Sequence, residues 1–445
     1  MADEIKDTIQ KKVQNSIPTS KVERATKFVQ TGVKVGANYV KHYAQKVMNP
    51  ELGKEELDRA NAEDIYGALS ELKGSALKVA QMMSMDKNLL PQVYSDKFTM
   101  AQYSAPPLSY PLVVKTFQNY FQKSPTEIFD TFTKEAANAA SIGQVHQASK
   151  NGKKYAVKVQ YPGVAESISS DLKMVKPFAK QILGLQEKDL QMYMGEVEQM
   201  LIAETDYELE LKRGVEISEA CAHIANVDFP KYYAEYSSKR ILTMDWLVGQ
   251  HLTEFLATNP SQEVRNKIGQ ALWDFYDYQM HELLSVHADP HPGNFLMRAD
   301  GTMGIIDFGC VKVIPLEYYC VHFKVINPQV VDDDEVMMKA FYELGFIYED
   351  DSQAEKDLFV GIFRDMIRLT VSPFRNPTFD FGNDGYFKML YDFGEKIAKT
   401  PEMKNSTKPR GSKEALYLNR TYFGLYSMLN QLKANITTHT SWKQR

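Results

Sequence analysis

The stretch Ser285–Gly309 reads SVHADPHPGNFLMRADGTMGIIDFG. It sets Asp289 five residues ahead of Asn294, and places Asp307 thirteen residues further on, at the head of Asp-Phe-Gly. The loose alternation of Phe295 and Leu296, then Met303, Ile305 and Ile306, predicts a loop, a short strand, a turn at Asp300-Gly301 and a second strand ending at Asp307. Two carboxylates and an amide oxygen at this spacing suit phosphoryl transfer. One carboxylate meets an acceptor hydroxyl, while the amide oxygen and the second carboxylate hold Mg²⁺ against phosphate. Mg²⁺ takes oxygen ligands, so Asn294 and Asp307 suffice with phosphate and water.

Working upstream, Asn151-Gly152 is a strong hairpin signal between Ala136-Ala-Asn-Ala-Ala-Ser-Ile-Gly-Gln-Val-His-Gln-Ala148 and Tyr155-Ala-Val-Lys-Val-Gln160. The returning strand carries Lys158 after Ala-Val, in the order that D-x-x-x-x-N and D-F-G motifs accompany in the kinase pattern. A strand Lys alone is an edge residue; its place ahead of Asp289, Asn294 and Asp307 makes it informative. Gln186–Arg213 predicts a long helix, and on spacing alone Glu204, Glu208 and Glu210 are all candidates to hold Lys158 against the α/β-phosphates. Ile241–Gly249 reads as a strand running into a connector, around Met244, where a kinase hinge would meet an adenine edge. Gln262–Leu284 is an apolar helix leading into the catalytic stretch. After Gly309 the helical blocks fall near Asp334–Leu344, Gln353–Leu369, Tyr386–Ala398 and Glu414–Leu432.

Further upstream, Ser20 and Glu23 form a capping-box pattern, and helical spacing predicts a helix over Lys21–Val47. Lys27, Lys34 and Lys41 step by seven on the face opposite its apolar residues, as in a helix that lies on an anionic membrane or one that packs on its own domain with a solvated lysine face. A second helix is predicted over Glu56–Met85, where Lys78 and Gln81 share a face.

The totals set limits. A chain of 445 residues exceeds one core and suggests two or three packed units. Net charge is −5, and nothing global argues for nucleic acid. Residues 1–50 carry nine Lys/Arg against four Asp/Glu, so the basic balance is local. Three cysteines make no disulfide framework and fit a reducing compartment. The first residues, MADEIKDTIQ, contain no signal-like apolar region, and no 18-residue apolar run appears, so a cytoplasmic chain without a signal peptide or membrane span is expected.

Two competing readings carry less weight. Asp380-Phe-Gly and Asp392-Phe-Gly repeat the tripeptide, but neither follows an apolar strand downstream of its own D-x-x-x-x-N. His287, Asp289 and His291 alternate as in a transition-metal site, yet Pro290 and Pro292 oppose a regular strand. The histidines are expected to shape the loop by hydrogen bonds.

Taken together, LKGSALKVAQMMS (72–84), AANAASIGQVHQA (136–148), YAVKVQYPGV (155–164), ETDYELE (204–210), HADPHPGNF (287–295) and IIDFG (305–309) resemble the UbiB/AarF atypical kinase-like family, and the likeness runs from about residue 15 to the end. The resemblance implies an α+β, two-lobed protein-kinase-like fold with a helical N-terminal extension packed over the cleft. It implies a flexible N-terminus at 1–20, the extension with its K-x-A-Q motif at 21–125, a small lobe at 126–245 and a helical large lobe at 246–445. Lys78 would contact Glu204 and Asp206 of an E-x-D motif, with Gln81 beside it. Lys158 would pair with Glu210. Asp289 would take the catalytic position, and Asn294 and Asp307 would hold Mg²⁺.

Ala136, Ala137, Ala139 and Ala140 stand where a conventional kinase has its glycine pattern, so the loop, with Ala137, Ala139, Ala140 and Ser141 as its nucleotide-binding residues, is expected to hold ATP or ADP differently, because alanine resists positive φ. The implied activity is that of a Mg-ATP-binding ATPase or phosphotransferase supporting isoprenoid quinone (ubiquinone) or other lipid metabolism at a membrane surface, with little protein phosphorylation in trans. The implied partners are a nucleotide, an isoprenoid lipid or quinone-biosynthesis proteins, and a peripheral membrane contact through the N-terminal helix. The alternatives are a small-molecule kinase acting on a lipid or metabolite, and a pseudokinase scaffold with a nucleotide switch. One departure stands out: the family's K-x-G-Q glycine is Ala80 here.

Overall fold

The computed structural model describes residues 21–49, 53–72, 74–85, 92–99, 107–139, 142–183, 187–327, 330, 332–406, 408 and 410–438. Two compact units emerge, one from Met1–Lys212 with Lys231–Trp246, the other from Arg213–Pro230 with Leu247–Arg445.

The first unit begins with helices α1 (Lys21–Met48), α2 (Glu55–Leu72), α3 (Gly74–Met85), α4 (Gln92–Thr99) and α5 (Tyr110–Phe121). The single helix expected over Glu56–Met85 is two. Gly74 has φ +59°, a left-handed conformation that ends one helix and lets the next start at a new angle. A Cβ there would also meet Val164 at 3.0 Å. Helix α1 departs as well from the stripe its spacing predicts, which is Ala25, Phe28, Val29, Gly32, Val33, Gly36, Tyr39, Val40, Tyr43 and Val47. Its buried face holds Arg24, Phe28, Thr31, Val35 and His42, while Val22, Val29, Val33 and Val40 are exposed. The Ser20 cap lies outside the described residues.

The rotation of α1 follows from one buried ion pair. Arg24 Nε and Nη2 donate to the two oxygens of Asp171 at 2.6 Å, and its Nη1 donates to the Leu72 carbonyl at 2.8 Å. Ser75 and Ser167 hydroxyls also donate to Asp171. A charged pair removed from water is tolerable only when its remaining hydrogen bonds are made, as here. With Arg24 turned inward, Lys27 meets Glu71 and Lys34 lies 4.0 Å from Asp64, both on α2.

The sheet of this unit runs β1 (Thr131–Phe132), β3 (Gly143–Lys150), β4 (Lys153–Gln160), β5 (Ile241–Asp245), with β2 (Asn138–Ala139) also on β3, all antiparallel. Asn151 and Gly152 have φ 52° and 76° and close the β3–β4 hairpin as the sequence predicts. Val113 and Phe117 of α5 pack with Phe129, Tyr155, Val157, Val159 and Ile241 on one face. Helices α6 (Val164–Leu183), α7 (Glu187–Glu204) and the start of α8 (Tyr207–Ala220) complete the unit. The helix expected over Gln186–Arg213 is therefore broken at Thr205–Asp206, where Asp206 Oδ1 accepts the Leu209 N–H at 3.1 Å as an N-cap.

The second unit takes the remainder of α8. A parallel pairing of Val227–Asp228 with β8 (Met303–Ile305) extends the β7 (Phe295–Met297)–β8 hairpin, and β6 (Ser285–His287) pairs with β9 (Val311–Val313). Helices α9 (Gln262–Tyr278), α10 (Leu316–Val325), α11 (Asp334–Glu343), α12 (Gln353–Thr370), α13 (Asp384–Lys399) and α14 (Lys413–Leu432) supply its core. The predicted helical blocks match these within a few residues. Helix α9 stops at Tyr278, and Gln279–Leu283 widens into a π-turn closed by Leu284 at φ 50°. Such turns cluster at functional sites.

Candidate active site

In the first unit, Lys158 stands on β4 opposite Val145 and Leu242. Its Nζ donates to both oxygens of Glu210 at 2.9 Å and lies 5.1 Å over the Tyr207 ring. Of the three acids left open by spacing, Glu210 makes this contact, Glu208 is exposed and Glu204 faces elsewhere. Glu210 sits in the first turn of α8, where helix amides favour negative charge. It is fully buried, so Lys158 supplies the counter-charge it needs.

The break between α7 and α8 is held from outside. The Thr205 carbonyl accepts from Gln160 Nε2 at 2.9 Å and from Arg240 Nη1 at 2.8 Å. Glu204 is the last residue of α7, where carbonyl ends disfavour an acid. Lys78 of α3 meets it at 2.7 Å, with the two side chains 5% and 10% exposed. Lys78 thus joins Glu204, while the Asp206 carboxylate caps α8. Gln81 lies on α3, its side chain outside the described ones.

In the alanine-rich loop, Ala137 N–H donates to Val145 O at 2.8 Å and Ala139 pairs with Gln144. Ala140 and Ser141 lie outside the described residues. At Gly143 a Cβ would sit 2.8 Å from the Tyr207 hydroxyl and from Val159 O, so close approach excludes any larger residue. Gln144 bonds the backbone of Leu108 in both directions and donates to His146 Nε2. His146 Nδ1–H then donates to Thr133 O at 2.8 Å, and burial lowers the pKa of this neutral imidazole. Met244 lies inside the sheet, opposite Ala156 and bridged to Tyr232.

In the second unit, the strand β6 delivers the loop that carries Asp289. Gln279 of the π-turn accepts the His287 N–H at 2.9 Å, and Ala288 N–H donates to Cys310 O at 2.9 Å. His287 Nε2 lies 2.9 Å from the Asp307 carbonyl, and its Nδ1 lies 3.3 Å from the Tyr276 hydroxyl. A carbonyl only accepts, so Nε2 carries the proton. Burial lowers the pKa of this imidazole, against the pull of Asp289 and Asp307. Both ring nitrogens are thereby engaged, one by the Asp307 carbonyl and one by Tyr276 of α9, as the hydrogen-bonding role expects and a metal-ligand role does not. His291 accepts the Gly293 N–H at 3.0 Å.

Asn294 and Asp307 are brought together by backbone. Phe295 pairs with Ile305, and Ile306 N–H donates to Asn294 O at 3.1 Å. That bond keeps the hairpin register, but Asn294 N–H turns back to His291 O at 2.9 Å, so the ladder closes there and β8 ends at Ile305 rather than at Asp307. Asn294 Nδ2 donates to the Asp289 carbonyl at 2.9 Å, which turns its Oδ1 the other way. Asp307 Oδ1 accepts the Gly309 N–H at 2.9 Å, and Arg213 Nη1 donates to Gly309 O at 3.1 Å. An amide oxygen and a carboxylate so placed are the hard donors Mg²⁺ takes, so the residues fit that ion. Of the two other Asp-Phe-Gly tripeptides, Asp380 makes the same turn to Gly382 N–H at 2.8 Å, and Asp392 lies inside α13.

Sequence reasoning missed several residues. Arg420 Nη2 donates to Asp289 Oδ1 at 3.1 Å from 131 positions away. Tyr207 faces Lys158, while Gln160 and Arg240 hold the Thr205 carbonyl between Glu204 and Asp206, and Arg213 holds Gly309 beside Asp307. Their positions follow no local spacing rule, so only the folded chain reveals them.

This mixed α+β architecture, with a strand lysine paired to a helical glutamate and a D-x-x-x-x-N loop laced to Asp-Phe-Gly, is kinase-like. The chain belongs to the family described as the ABC1 atypical kinase-like domain, whose model matches residues 100–339. It is 27% identical to the probable serine/threonine-protein kinase abkA of Dictyostelium discoideum, over 95% of this chain and 79% of that protein. It is 27% identical to the atypical kinase coq-8, mitochondrial, of Caenorhabditis elegans, over 86% of this chain but only 50% of that one. Among solved structures, the complex of Rv3197 with erythromycin from Mycobacterium tuberculosis shares 26% identity at a TM-score of 0.59, covering 86% of this chain and 95% of that one.

Proposed function

We propose that the chain is an atypical Mg-ATP-binding ATPase or phosphotransferase. The observation that carries this reading is the lacing of Asn294 to both Asp289 and Ile306, which assembles one carboxylate for the acceptor and two oxygen donors for the cation. Lys158, already held by Glu210, would meet the α/β-phosphates, and Mg²⁺ held by Asn294 and Asp307 would neutralise charge on the transferring group. Asp289 would orient the attacking hydroxyl or water. Lys78 and Glu204 form a second, separate pair that this chemistry does not require, in keeping with a device that selects which substrate is admitted. A role in isoprenoid quinone or other lipid metabolism, with little protein phosphorylation in trans, belongs to the same proposal.

The test is nucleotide binding and turnover by the purified chain with Mg²⁺. Asp307→Asn is expected to lower Mg-dependent turnover by about 100-fold or more, since it removes a metal oxygen. A wild-type chain that neither binds nor hydrolyses Mg-ATP sinks the reading. Phosphorylated product from a lipid extract, dependent on Asp289, would specify a small-molecule kinase; retained biological output in Asp289→Asn with intact nucleotide binding would specify a scaffold.

Among the described residues no helix is long and apolar enough to cross a membrane. Peripheral contact is proposed through α1, whose Val22, Val29, Val33 and Val40 stand exposed. Sedimentation with anionic vesicles tests it, and no binding by the wild-type chain disposes of it.

A further inference from the structure

Helix α14 meets the catalytic loop at two points and strand β9 beside it at a third, all along one face. Tyr417, Arg420 and Gly424 lie three and four residues apart, so they align on the helix surface. The Lys312 ammonium, on the strand paired with β6, lies 4.3 Å over the Tyr417 ring. One turn on, Arg420 Nη2 donates to Asp289 Oδ1 at 3.1 Å, with the two side chains 12% and 10% exposed. At Gly424, a Cβ would fall 2.2 Å from Pro290 Cγ and 3.1 Å from the Pro290 carbonyl, so helix backbone abuts the residue next to Asp289.

The helix is itself anchored at both ends. The segment leading into it is fixed by Arg410 Nη1, 2.6 Å from the buried Asp351, and by the Gly411 N–H on Gly345 O at 2.9 Å. At its far end Asn430 Nδ2 donates to the Phe381 carbonyl at 2.8 Å. All of α14 lies beyond the residues 100–339 that the family model matches.

We infer that Arg420 is the positioning residue of the Asp289 carboxylate, and that α14 is the part that holds the acceptor-facing side of the catalytic loop. This rests on the proposed phosphoryl-transfer reading. A carboxylate that must meet an acceptor oxygen needs one rotamer and one direction. The guanidinium on Oδ1 supplies the direction, and the Gly424–Pro290 contact sets the distance from which it acts. Arg420 bonds the carboxylate that faces the acceptor, so it should affect the chemical step more than nucleotide affinity.

The experiment is Mg-ATP turnover and equilibrium nucleotide binding with the full chain, comparing wild type, Arg420→Met, Arg420→Lys, Gly424→Ala, Asp289→Asn and the Arg420→Met/Asp289→Asn double variant. Arg420→Met is expected to lower kcat at least about tenfold while nucleotide Kd changes less than about threefold, with Arg420→Lys recovering part of the loss. In the Asp289→Asn background the same substitution should change kcat less than about twofold, because the carboxylate it positions is no longer there to meet the acceptor.

Gly424→Ala should lower kcat in the same sense without touching a charge. Equal fold losses in the two backgrounds, or an Arg420→Met kcat within twofold of wild type, overturn the inference. If Arg420→Met does not fold, Arg420→Lys and Gly424→Ala decide it, and wild-type kcat in both overturns it. A wild-type chain without any turnover removes the functional reading and this inference with it, which is a different result from an active chain indifferent to Arg420.

Discussion

The two units lean differently in how they bury titratable side chains, although each holds both kinds: the second also pairs Arg410 with Asp351 and Arg420 with Asp289, and the first also buries the neutral His146. The first buries them as ions in pairs: Arg24 with Asp171, Lys78 with Glu204, Lys158 with Glu210. The second, behind its catalytic loop, keeps several neutral. Burial pushes His281 and His322 down to about 4 and Asp277 up to about 7, while His287 is neutral by its hydrogen bonds. The difference teaches what each unit is built to do. Paired ions fix helices and a strand relative to one another in a specific register, and keep a lysine charged for phosphate. In the second unit the neutral His287 holds the loop through Asp307 O and the Tyr276 hydroxyl, while the neutral His281 and His322 meet the Tyr319 and Tyr318 hydroxyls behind it.

Breaking a pair in the first unit should therefore cost the most. Glu210→Gln strands the Lys158 charge and is expected to destabilise the chain by about 3–5 kcal/mol, read as a fall in melting temperature. Adding Lys158→Met should return most of that stability, whereas nucleotide turnover stays lost. If the single variant melts like wild type, the pair is not the structural element described here.

The Lys78–Glu204 pair should behave alike at smaller scale, because the Glu204 side chain is 10% exposed where that of Glu210 is fully buried. Lys78→Met is expected to cost roughly 2–4 kcal/mol, with Glu204→Gln added to it restoring stability. Turnover or nucleotide selectivity should stay altered in the double variant. A double variant with wild-type kinetics would reduce the pair to scaffolding.

The neutral side of the comparison is tested by pH. Asp277 holds its proton in the fold to about pH 7, above its ordinary value, through burial and then the nearby Asp274 and Glu282. The folded chain thus binds more protons than the unfolded one across that window, and stability is lost as pH rises toward 7. Asp277→Asn should melt higher than wild type above pH 7, by roughly 2 kcal/mol, and show no advantage at pH 4. His281 lies 3.5 Å from Asp277, with its own value lowered by burial, so its contribution falls as pH drops through 6.5 and opposes that of Asp277 in the acid range. An Asp277→Asn advantage that is equal at all pH values would mean the carboxyl is not titrating in the fold.

The hairpin at Asn151-Gly152, the β7–β8 turn and the late helices were legible because each obeys a local rule of turn chemistry or periodicity. Two long helices were misread because their breaks rest on particulars: Gly74 takes a left-handed φ where Val164 crowds it, and Asp206 serves as a cap in the middle of an acidic helical run. Helix α1 was misread because its apolar residues lie on two faces and a single arginine, Arg24, chooses which face is buried.

By itself the sequence determined the chemistry on offer: Asp289, Asn294 and Asp307 in kinase order, Lys158 on a strand, an alanine-rich loop and an acidic turn, all short-range patterns that residue types and spacing encode directly. Only the tertiary structure decided which acid answers Lys158, that Lys78 takes Glu204 while Asp206 caps a helix, and that Arg420 reaches Asp289. Those choices join residues up to 131 positions apart. They depend on how helix faces and strand registers meet when buried charge must find a partner, and no local pattern carries that information.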